Sequence, residues 1–237
     1  MLCKVWYLLH SGFAVQTKEH FLIFDYYKNT PKNGGLGDGV IDISALKDRN
    51  VIVFVSHRHG DHYNKCILQW PDVHPSLRLI LSDDINSVPG AMMVGKNRTY
   101  AEDGFTLETL ASNDEGVAFY LSIDGVHIYH AGDLNWWHWN GEPEEYNEGM
   151  GRDYRTQVDL LRGKPIDLAF VPVDHRLEDK YYWGIDYLMR NLNVRYAVPM
   201  HFGDNTWIAD QLVRDEHTDG YREKIMPLTK RGQTFEF

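Results

Sequence analysis

Cysteine is scarce in this chain, with only 2 residues among 237. Two cysteines are too few for a disulfide framework, so the composition favours a reducing compartment and we expect a cytoplasmic protein. A chain of this length buries about 70% of its unfolded surface without disulfide support. We therefore expect one globular domain over residues 1–237.

Long hydrophobic runs are also absent. No apolar run approaches the roughly 18 residues that a membrane-spanning helix requires, so no membrane partner is expected. Residues 1–15 combine one lysine with a short apolar stretch, as a signal peptide does. However, His10, Ser11 and Gly12 interrupt the stretch, and no small-residue cleavage site follows. This pattern favours a buried first strand over a signal peptide.

Positive charge is in deficit. The chain has 24 Lys and Arg against 34 Asp and Glu, which gives a net charge of −10. A nucleic-acid footprint needs clustered Lys and Arg, so the composition argues against a nucleic-acid partner. It still permits a small anionic substrate held locally, and we expect the substrate to be a small molecule.

Apolar segments of strand length recur along the whole chain. They are rich in β-branched and aromatic residues and lie at 5–9, 21–25, 51–56, 77–82, 117–123, 126–130, 166–173 and 194–198. Segments with helical spacing lie at 62–70, 153–162, 181–192 and 206–214. Asp124-Gly125 joins two of the strand segments and is a strong hairpin signal. This mixture predicts a sheet-rich α/β or α+β layered domain.

Histidine is abundant, with 12 residues, and one cluster directly follows a predicted core strand. Ser-His-Arg-His-Gly-Asp-His occupies residues 56–62. Because residues i and i+2 of an extended chain point the same way, His57 and His59 project together. Gly60 permits a sharp turn, after which we expect Asp61 and His62 to open a helix. Four ligand-type side chains on one strand-to-loop junction predict a metal site.

Two further segments place ligand-type side chains just beyond predicted strands. Gly132-Asp133 follows the second strand of the hairpin, and an aspartate there can bridge two cations. His201 follows the strand at 194–198. Each signal is weak alone, but a layered sheet brings such strand ends to one rim, so we expect all three segments to meet.

These residues resemble the metallo-β-lactamase-fold superfamily. His57, His59, Asp61 and His62 match its H-x-H-x-D-H motif, Gly132-Asp133 its bridging motif, His201 its last histidine, and Asp25 the aspartate that ends an early strand. The resemblance implies an αβ/βα four-layer sandwich of two mixed β-sheets flanked by helices. HSGF at 10–13 and HAGD at 130–133 look most similar to the ascorbate-phosphate lactonase-like branch.

One position departs from the family pattern. The family carries a metal-binding histidine before the strand that leads into the hairpin, and Ser112 stands at that place. The resemblance then implies a first metal site of His57, His59 and Asp133, and a second of Asp61, His62, Asp133 and His201. Serine is a poor zinc ligand, so a water or another group completes the first site, the site is weak, or one metal is used. We favour two metals with a weakened first site.

Four other histidines lie where they could border the same pocket. They are His10, His130, His138 and His175, and we expect walls or hydrogen-bonded structural residues rather than ligands. We expect the Trp136–Trp139 run to pack against the sheet, or to line the substrate pocket if it lies beside the metals.

The ligand types predict zinc, as one or two ions, although Mn or Fe also suits such ligands. A bound cation lowers the pKa of water and makes hydroxide available near neutral pH, and Asp61 could orient it or take its proton. We therefore predict a metal-dependent hydrolase of a small-molecule ester, lactone or phosphodiester. The alternatives are a nucleic-acid phosphodiesterase, which the charge disfavours, and a non-catalytic metal- or ligand-binding relative, which Ser112 motivates.

Overall fold

Two mixed β-sheets face each other in the structure, a computed structural model that describes residues 3–237. The first sheet contains β1 (Lys4–Leu9), β2 (Gly12–Gln16), β3 (His20–Phe24), β4 (Asn50–Val55), β5 (Arg78–Ser82), β6 (Met92–Val94) and β13 (Thr234–Glu236). Its strand order is β13-β1-β2-β3-β4-β5-β6, parallel from β3 to β6 and antiparallel elsewhere.

The second sheet has the order β12-β11-β10-β9-β8-β7. Its strands are β7 (Thr99–Glu102), β8 (Phe105–Ala111), β9 (Val117–Ile123), β10 (Val126–His130), β11 (Pro165–Pro172) and β12 (Asn193–Met200). β10, β11 and β12 run parallel, whereas β7 to β10 form an antiparallel meander. The β9–β10 hairpin turns at Asp124 and Gly125, which both have positive φ, as expected for this dipeptide.

The main core lies between the two sheets and is rich in phenylalanine. Phe13 stacks on Phe170 with ring centroids 4.1 Å apart, and Phe54 meets Phe119 edge-on at 5.5 Å. Alternate residues of the same strands, such as Val53 on β4, point to a second apolar cluster on the outer face. Burial of both faces explains why the sequence of these strands is continuously apolar rather than alternating.

Helices cover the outer faces and complete the four-layer sandwich, as predicted. They are α1 (Trp70–Val73), α2 (Glu144–Val158), α3 (Trp183–Asn191) and α4 (Trp207–Arg214), with short 3-10 turns between elements. α3 packs against β11 and β12, while Ile67 and Trp70 lie in the apolar cluster behind the first sheet. Among residues 3–237, no helix is both long and apolar enough to cross a membrane.

The prediction of a helix over residues 62–70 was wrong at its start. Asp61 and His62 lie in a turn, and helical structure begins only at Lys65, as a 3-10 helix capped by the Asn64 side chain. An Asn cap overrides the expected start because its side-chain oxygen accepts a hydrogen bond from the Cys66 amide. Asp61 is therefore not an N-terminal helix residue, and its carboxylate is free to lie along the rim of the sandwich.

Strands of both sheets end at the same rim of the sandwich. β1, β3 and β4 of the first sheet, and β10 and β12 of the second, deliver the loops that begin with His10, Asp25, Ser56, Ala131 and His201 respectively. Loops at the carboxyl ends of parallel strands are where α/β folds build their sites. The topology therefore brings together segments that are up to 191 residues apart, since 201 − 10 = 191.

Candidate metal centre

Two groups of ligand-type side chains lie side by side at this rim. The first group is His57, His59 and Asp133, whose ligand atoms all lie within 4.8 Å of one another. The Nε2 atom of His57 is 3.4 Å from Oδ2 of Asp133. This is the first site expected from the sequence, and the strand-end spacing of the two histidines produces it.

The second group is His10, His62 and His201, with ligand atoms again within 4.8 Å. The Nε2 atoms of His62 and His201 each lie 3.2 Å from Oδ1 of Asp133. Asp133 thus presents one oxygen to each group, which is the bridging position predicted for it. Three of the sequence-predicted residues of the second site therefore meet, and His10 joins them.

The site residues fit a metal because their inward-facing atoms lack hydrogen-bond partners. Nε2 of His10, His57 and His62 and Oδ1 of Asp133 are buried in the described residues without any hydrogen bond. Such orphaned polar atoms cost about 1–3 kcal/mol each unless another group satisfies them. An imidazole and carboxylate donor set is the one that zinc, and also iron or manganese, accepts.

Asp25 holds the first-sheet histidines from behind. Its carboxylate accepts hydrogen bonds from the Ser56 amide at 2.7 Å, the Ser56 hydroxyl at 2.6 Å and Nδ1 of His62 at 2.8 Å. Because the Ser56 hydroxyl donates to Asp25, its oxygen can accept from Nδ1 of His57, 3.0 Å away. Both rings therefore turn an Nε2 lone pair toward the centre, the arrangement that orients metal-binding histidines.

His201 is held in the same manner by Asp174, at 3.0 Å from its Nδ1. Arg176 pairs with Asp174 and neutralises it from the outside. Asp174 was not among the sequence-predicted site residues. It follows strand β11 just as Asp25 follows β3, so a strand-end aspartate was the signal that could have identified it.

Electrostatics couple these groups strongly. Burial alone would raise the pKa of Asp133, but the charges of His62 and His201 lower it well below its usual value. Burial opposes the charged form of His201, yet Asp133 and Asp174 raise its pKa to about 10. The pKa of His62 is likewise raised by Asp133 and Asp25 against its burial. A metal ion would therefore compete with protons for these imidazoles.

The backbone is strained where the site is built. Asp25, His10 and His201 all have positive φ, at 44°, 58° and 70°. Non-glycine residues rarely adopt this region, and each instance costs on the order of 1–3 kcal/mol. Gly116, with φ of 65°, lies so close that a Cβ there would meet Ser56 O at 2.0 Å. Strain and close approach together fix the strand ends against each other.

The turn that contains Ser112 brings carboxylates to the first group. The Ser112 hydroxyl accepts a hydrogen bond from the Asp114 amide at 3.1 Å, so the serine shapes the turn. Asp114 lines the cavity beside His59 and Asp133, and its pKa is raised by burial and by the charge of Asp133. Glu115 bonds Arg58 at 2.7 Å and places its other oxygen 3.5 Å from Nε2 of His59.

Asp61 lies at the edge of the centre rather than within either group. Its side chain is 53% exposed, and Oδ2 lies 3.5 Å from Nε2 of His10. The structure therefore puts His10, expected to form a wall, closer to the second group than Asp61. The family motifs do not place His10 among the ligands. Its position directly after strand β1 was the feature of the sequence that could have identified it.

The remaining histidines lie outside the centre. His130 is fully buried, with Nε2 2.8 Å from the Ser11 carbonyl and Nδ1 accepting from the Gly132 amide, so it is the structural residue expected. His138 packs on Trp183, and His175 packs near Trp207. Neither lines the metal-centre cavity.

A cavity of about 270 Å³ opens over the two groups. Trp137 and Trp139 form one wall as a parallel stack with ring centroids 5.7 Å apart, and the Trp137 indole donates to the Asp133 carbonyl. Tyr146 and Met150 line the same cavity. Within the Trp136–Trp139 run, Trp136 packs against α2 and α3, whereas Trp137 and Trp139 face the centre.

Comparison with known proteins agrees with this fold. No family model matches the chain. It resembles the metallo hydrolase Igni18 of Ignicoccus hospitalis, with a TM-score of 0.67 at 18% identity over 99% of both chains. It also resembles the metallo-β-lactamase fold protein YhfI of Bacillus subtilis, with a TM-score of 0.59 at 13% identity over 98% of both chains. The chain has the metallo-β-lactamase fold.

At the sequence level, the chain is similar to a UPF0173 metal-dependent hydrolase of Thermococcus kodakarensis. The two are 25% identical over 227 residues, which cover 87% of this chain and 86% of the relative. The chain is thus a relative of proteins named as metal-dependent hydrolases. Its relation to the ascorbate-phosphate lactonase-like branch stays a prediction.

Proposed function

We propose that this protein is a metal-dependent hydrolase of a small-molecule ester, lactone or phosphodiester. The observation that carries the proposal is the convergence of unpartnered, buried Nε2 and Oδ1 atoms on both sides of Asp133. A structural role leaves no reason for such atoms to face one another. Similarity to relatives named as metal-dependent hydrolases supports the same reaction class.

The proposed ligands divide between two ions. His57, His59 and Asp133 hold the first, while Asp133, His62 and His201 hold the second with Asp61 at its open side. Zinc is the proposed metal, with iron or manganese as alternatives of similar ligand preference. When bound, such cations polarise a substrate oxygen and lower the pKa of a water molecule toward neutrality.

Asp114 is the group that we propose completes the first site in place of the missing histidine. Ser112 uses its hydroxyl to shape the turn, and the turn directs Asp114 into the cavity beside His59 and Asp133. Glu115 is the alternative, because its Oε1 is bound by Arg58 but its Oε2 lies 3.5 Å from Nε2 of His59 without a hydrogen-bond partner. A carboxylate is a good ligand for a hard or borderline cation, so the first site is completed rather than lost.

Asp61 is the proposed proton acceptor of the reaction. Its carboxylate borders the cavity and remains half-exposed, so it can reach a water molecule that enters from solvent. The tryptophan stack gives the opposite wall an apolar surface suited to a planar or aliphatic group. The small cavity and the net charge of −10 favour a small molecule over a nucleic acid.

The test combines metal analysis with a substrate panel. Purified protein, stripped and reloaded with Zn²⁺, Mn²⁺ or Fe²⁺, is assayed on p-nitrophenyl acetate, dihydrocoumarin and bis(p-nitrophenyl) phosphate. We expect about two metal equivalents, and hydrolysis of at least one probe that His59→Ala and Asp114→Asn both reduce along with metal content. Less than about 0.3 equivalents and no hydrolysis after reloading would instead support a non-catalytic relative.

A further inference from the structure

Hydrogen bonds hold both the backbone and the ring of His10 in place. Its amide donates to the Tyr7 hydroxyl at 2.9 Å, and its carbonyl accepts from the His201 amide at 3.2 Å. Its Nδ1 accepts from the Gly203 amide at 3.2 Å. Only Nε2 has no hydrogen-bond partner, and that atom is buried beside the second group.

The contact to Gly203 determines which nitrogen of His10 carries the proton. A backbone amide is always a donor, so Nδ1 of His10 must be an unprotonated acceptor, and the neutral ring carries its proton on Nε2. The rings of His62 and His201 show the reverse, because their Nδ1 atoms face the carboxylates of Asp25 and Asp174. With their Nε2 protons displaced by a metal, those two rings would present lone pairs to the centre, whereas His10 presents an N–H.

The Nε2–H of His10 has no hydrogen-bond acceptor at normal distance. The nearest acceptor, Oδ2 of Asp61, lies 3.5 Å from Nε2, which is long for a hydrogen bond. The N–H is therefore fixed in direction, and in the metal-free structure it is buried and points at the second group.

We propose that His10 is a catalytic hydrogen-bond donor rather than a metal ligand, and that its Nε2–H binds the substrate oxygen on which negative charge develops. This inference rests on the proposed hydrolase function. A donor fixed before the substrate arrives stabilises that charge without reorganisation. The acceptor is a carbonyl or phosphoryl oxygen, so the role is common to the ester, lactone and phosphodiester chemistries. Because Asp61 lies beside His10, it would be next to the substrate bound in this way.

The first test reads the tautomer directly and needs no activity. Protein labelled with ¹⁵N-histidine is loaded with ¹¹³Cd²⁺, and long-range ¹H–¹⁵N spectra are recorded. We expect ¹¹³Cd–¹⁵N coupling at Nε2 of His62 and His201, and an uncoupled, protonated Nε2 at His10. Coupling between cadmium and His10 would overturn the proposal, whatever the substrate panel shows.

The second test separates a donor from a ligand by substitution. His10→Gln keeps an N–H near the position of Nε2, whereas His10→Ala removes it, and both bear the same backbone strain. We expect both variants to keep wild-type metal content, and kcat on the responsive probe to fall about 10²–10³-fold in His10→Ala, with much of it restored in His10→Gln. Loss of one metal equivalent in both variants, or unchanged kcat in His10→Ala, would refute the donor role.

Discussion

Asp25→Asn tests whether the buried aspartate behind the centre orients the metal-binding histidines. The carboxylate accepts three hydrogen bonds, two from Ser56 and one from His62. The asparagine side chain keeps at most some of these three hydrogen bonds, because its NH₂ group is a donor and would face other donors. Loss of one to two charge-assisted bonds at about 1.5–3 kcal/mol each predicts destabilisation of about 3 kcal/mol. Asparagine tolerates the positive φ at this position, so the backbone adds little.

The expected readouts differ in kind. Thermal unfolding of the metal-free protein should shift down by about 6–12 °C, because 1 kcal/mol corresponds to about 2–4 °C at this chain length. Zinc affinity, measured by competition with a chelating dye, should fall about 10–100-fold, as for other groups that orient metal-binding histidines. Unchanged zinc affinity in Asp25→Asn would refute the orienting role.

Asp124→Asn is the matched control for this experiment. Asp124 is also a largely buried strand-end aspartate with positive φ, and it accepts from the Thr17 hydroxyl, the Glu19 amide and Nδ1 of His20. Its partners lie at the opposite end of the sandwich from the metal centre. The substitution should therefore cost comparable stability while zinc affinity stays at the wild-type value.

Three further predictions concern protons, packing and the substrate wall. Because Asp133 and Asp174 raise the pKa of His201 to about 10 in the folded metal-free protein, zinc uptake near pH 7.5 should release a proton from this ring, measurable by calorimetry in buffers of different ionisation enthalpy. The stability that protonated His201 contributes should be lost as pH rises from about 6.5 through about 10. Gly116→Ala should destabilise by about 2–3 kcal/mol in denaturant unfolding because of the clash with Ser56, whereas Gly125→Ala, with open space around it, should cost less. Trp139→Ala should raise KM for aromatic esters while metal content, measured by mass spectrometry, stays unchanged.

Strands that are apolar on both faces could be predicted from the sequence. The strands that were not predicted are either exposed on one face or very short. β7 and β8 are exposed on one face and contain charged residues such as Glu102 and Glu108, so no continuous apolar run marks them. β2 (GFAVQ) and β6 (MMV) are short and lie beside turn residues. Helix α2 begins at Glu144 rather than near 153 because its first turns are polar and carry no apolar stripe.

The site was predictable wherever a motif places ligands close in sequence, and less so where it depends on distant contacts. The predicted ligands come together as expected because each lies in a loop that follows a strand ending at one rim; they are His57, His59, His62, Asp133 and His201. The tautomer of His10 could not be read from sequence, since it depends on an amide 193 residues away. The position of Asp114 depends likewise on how the turn at Ser112 closes.

We propose that Asp133 bridges two metal ions held by histidines from both sheets. The decisive measurement is anomalous diffraction from crystals of the zinc-reconstituted protein, recorded on both sides of the zinc absorption edge. We expect two anomalous peaks at the rim, one among His57, His59 and Asp133 and one among His62, His201 and Asp133, with Asp114 against the first and Nε2 of His10 unbonded to the second. A zinc-loaded crystal with no anomalous peak beside Asp133 would refute the bridging role.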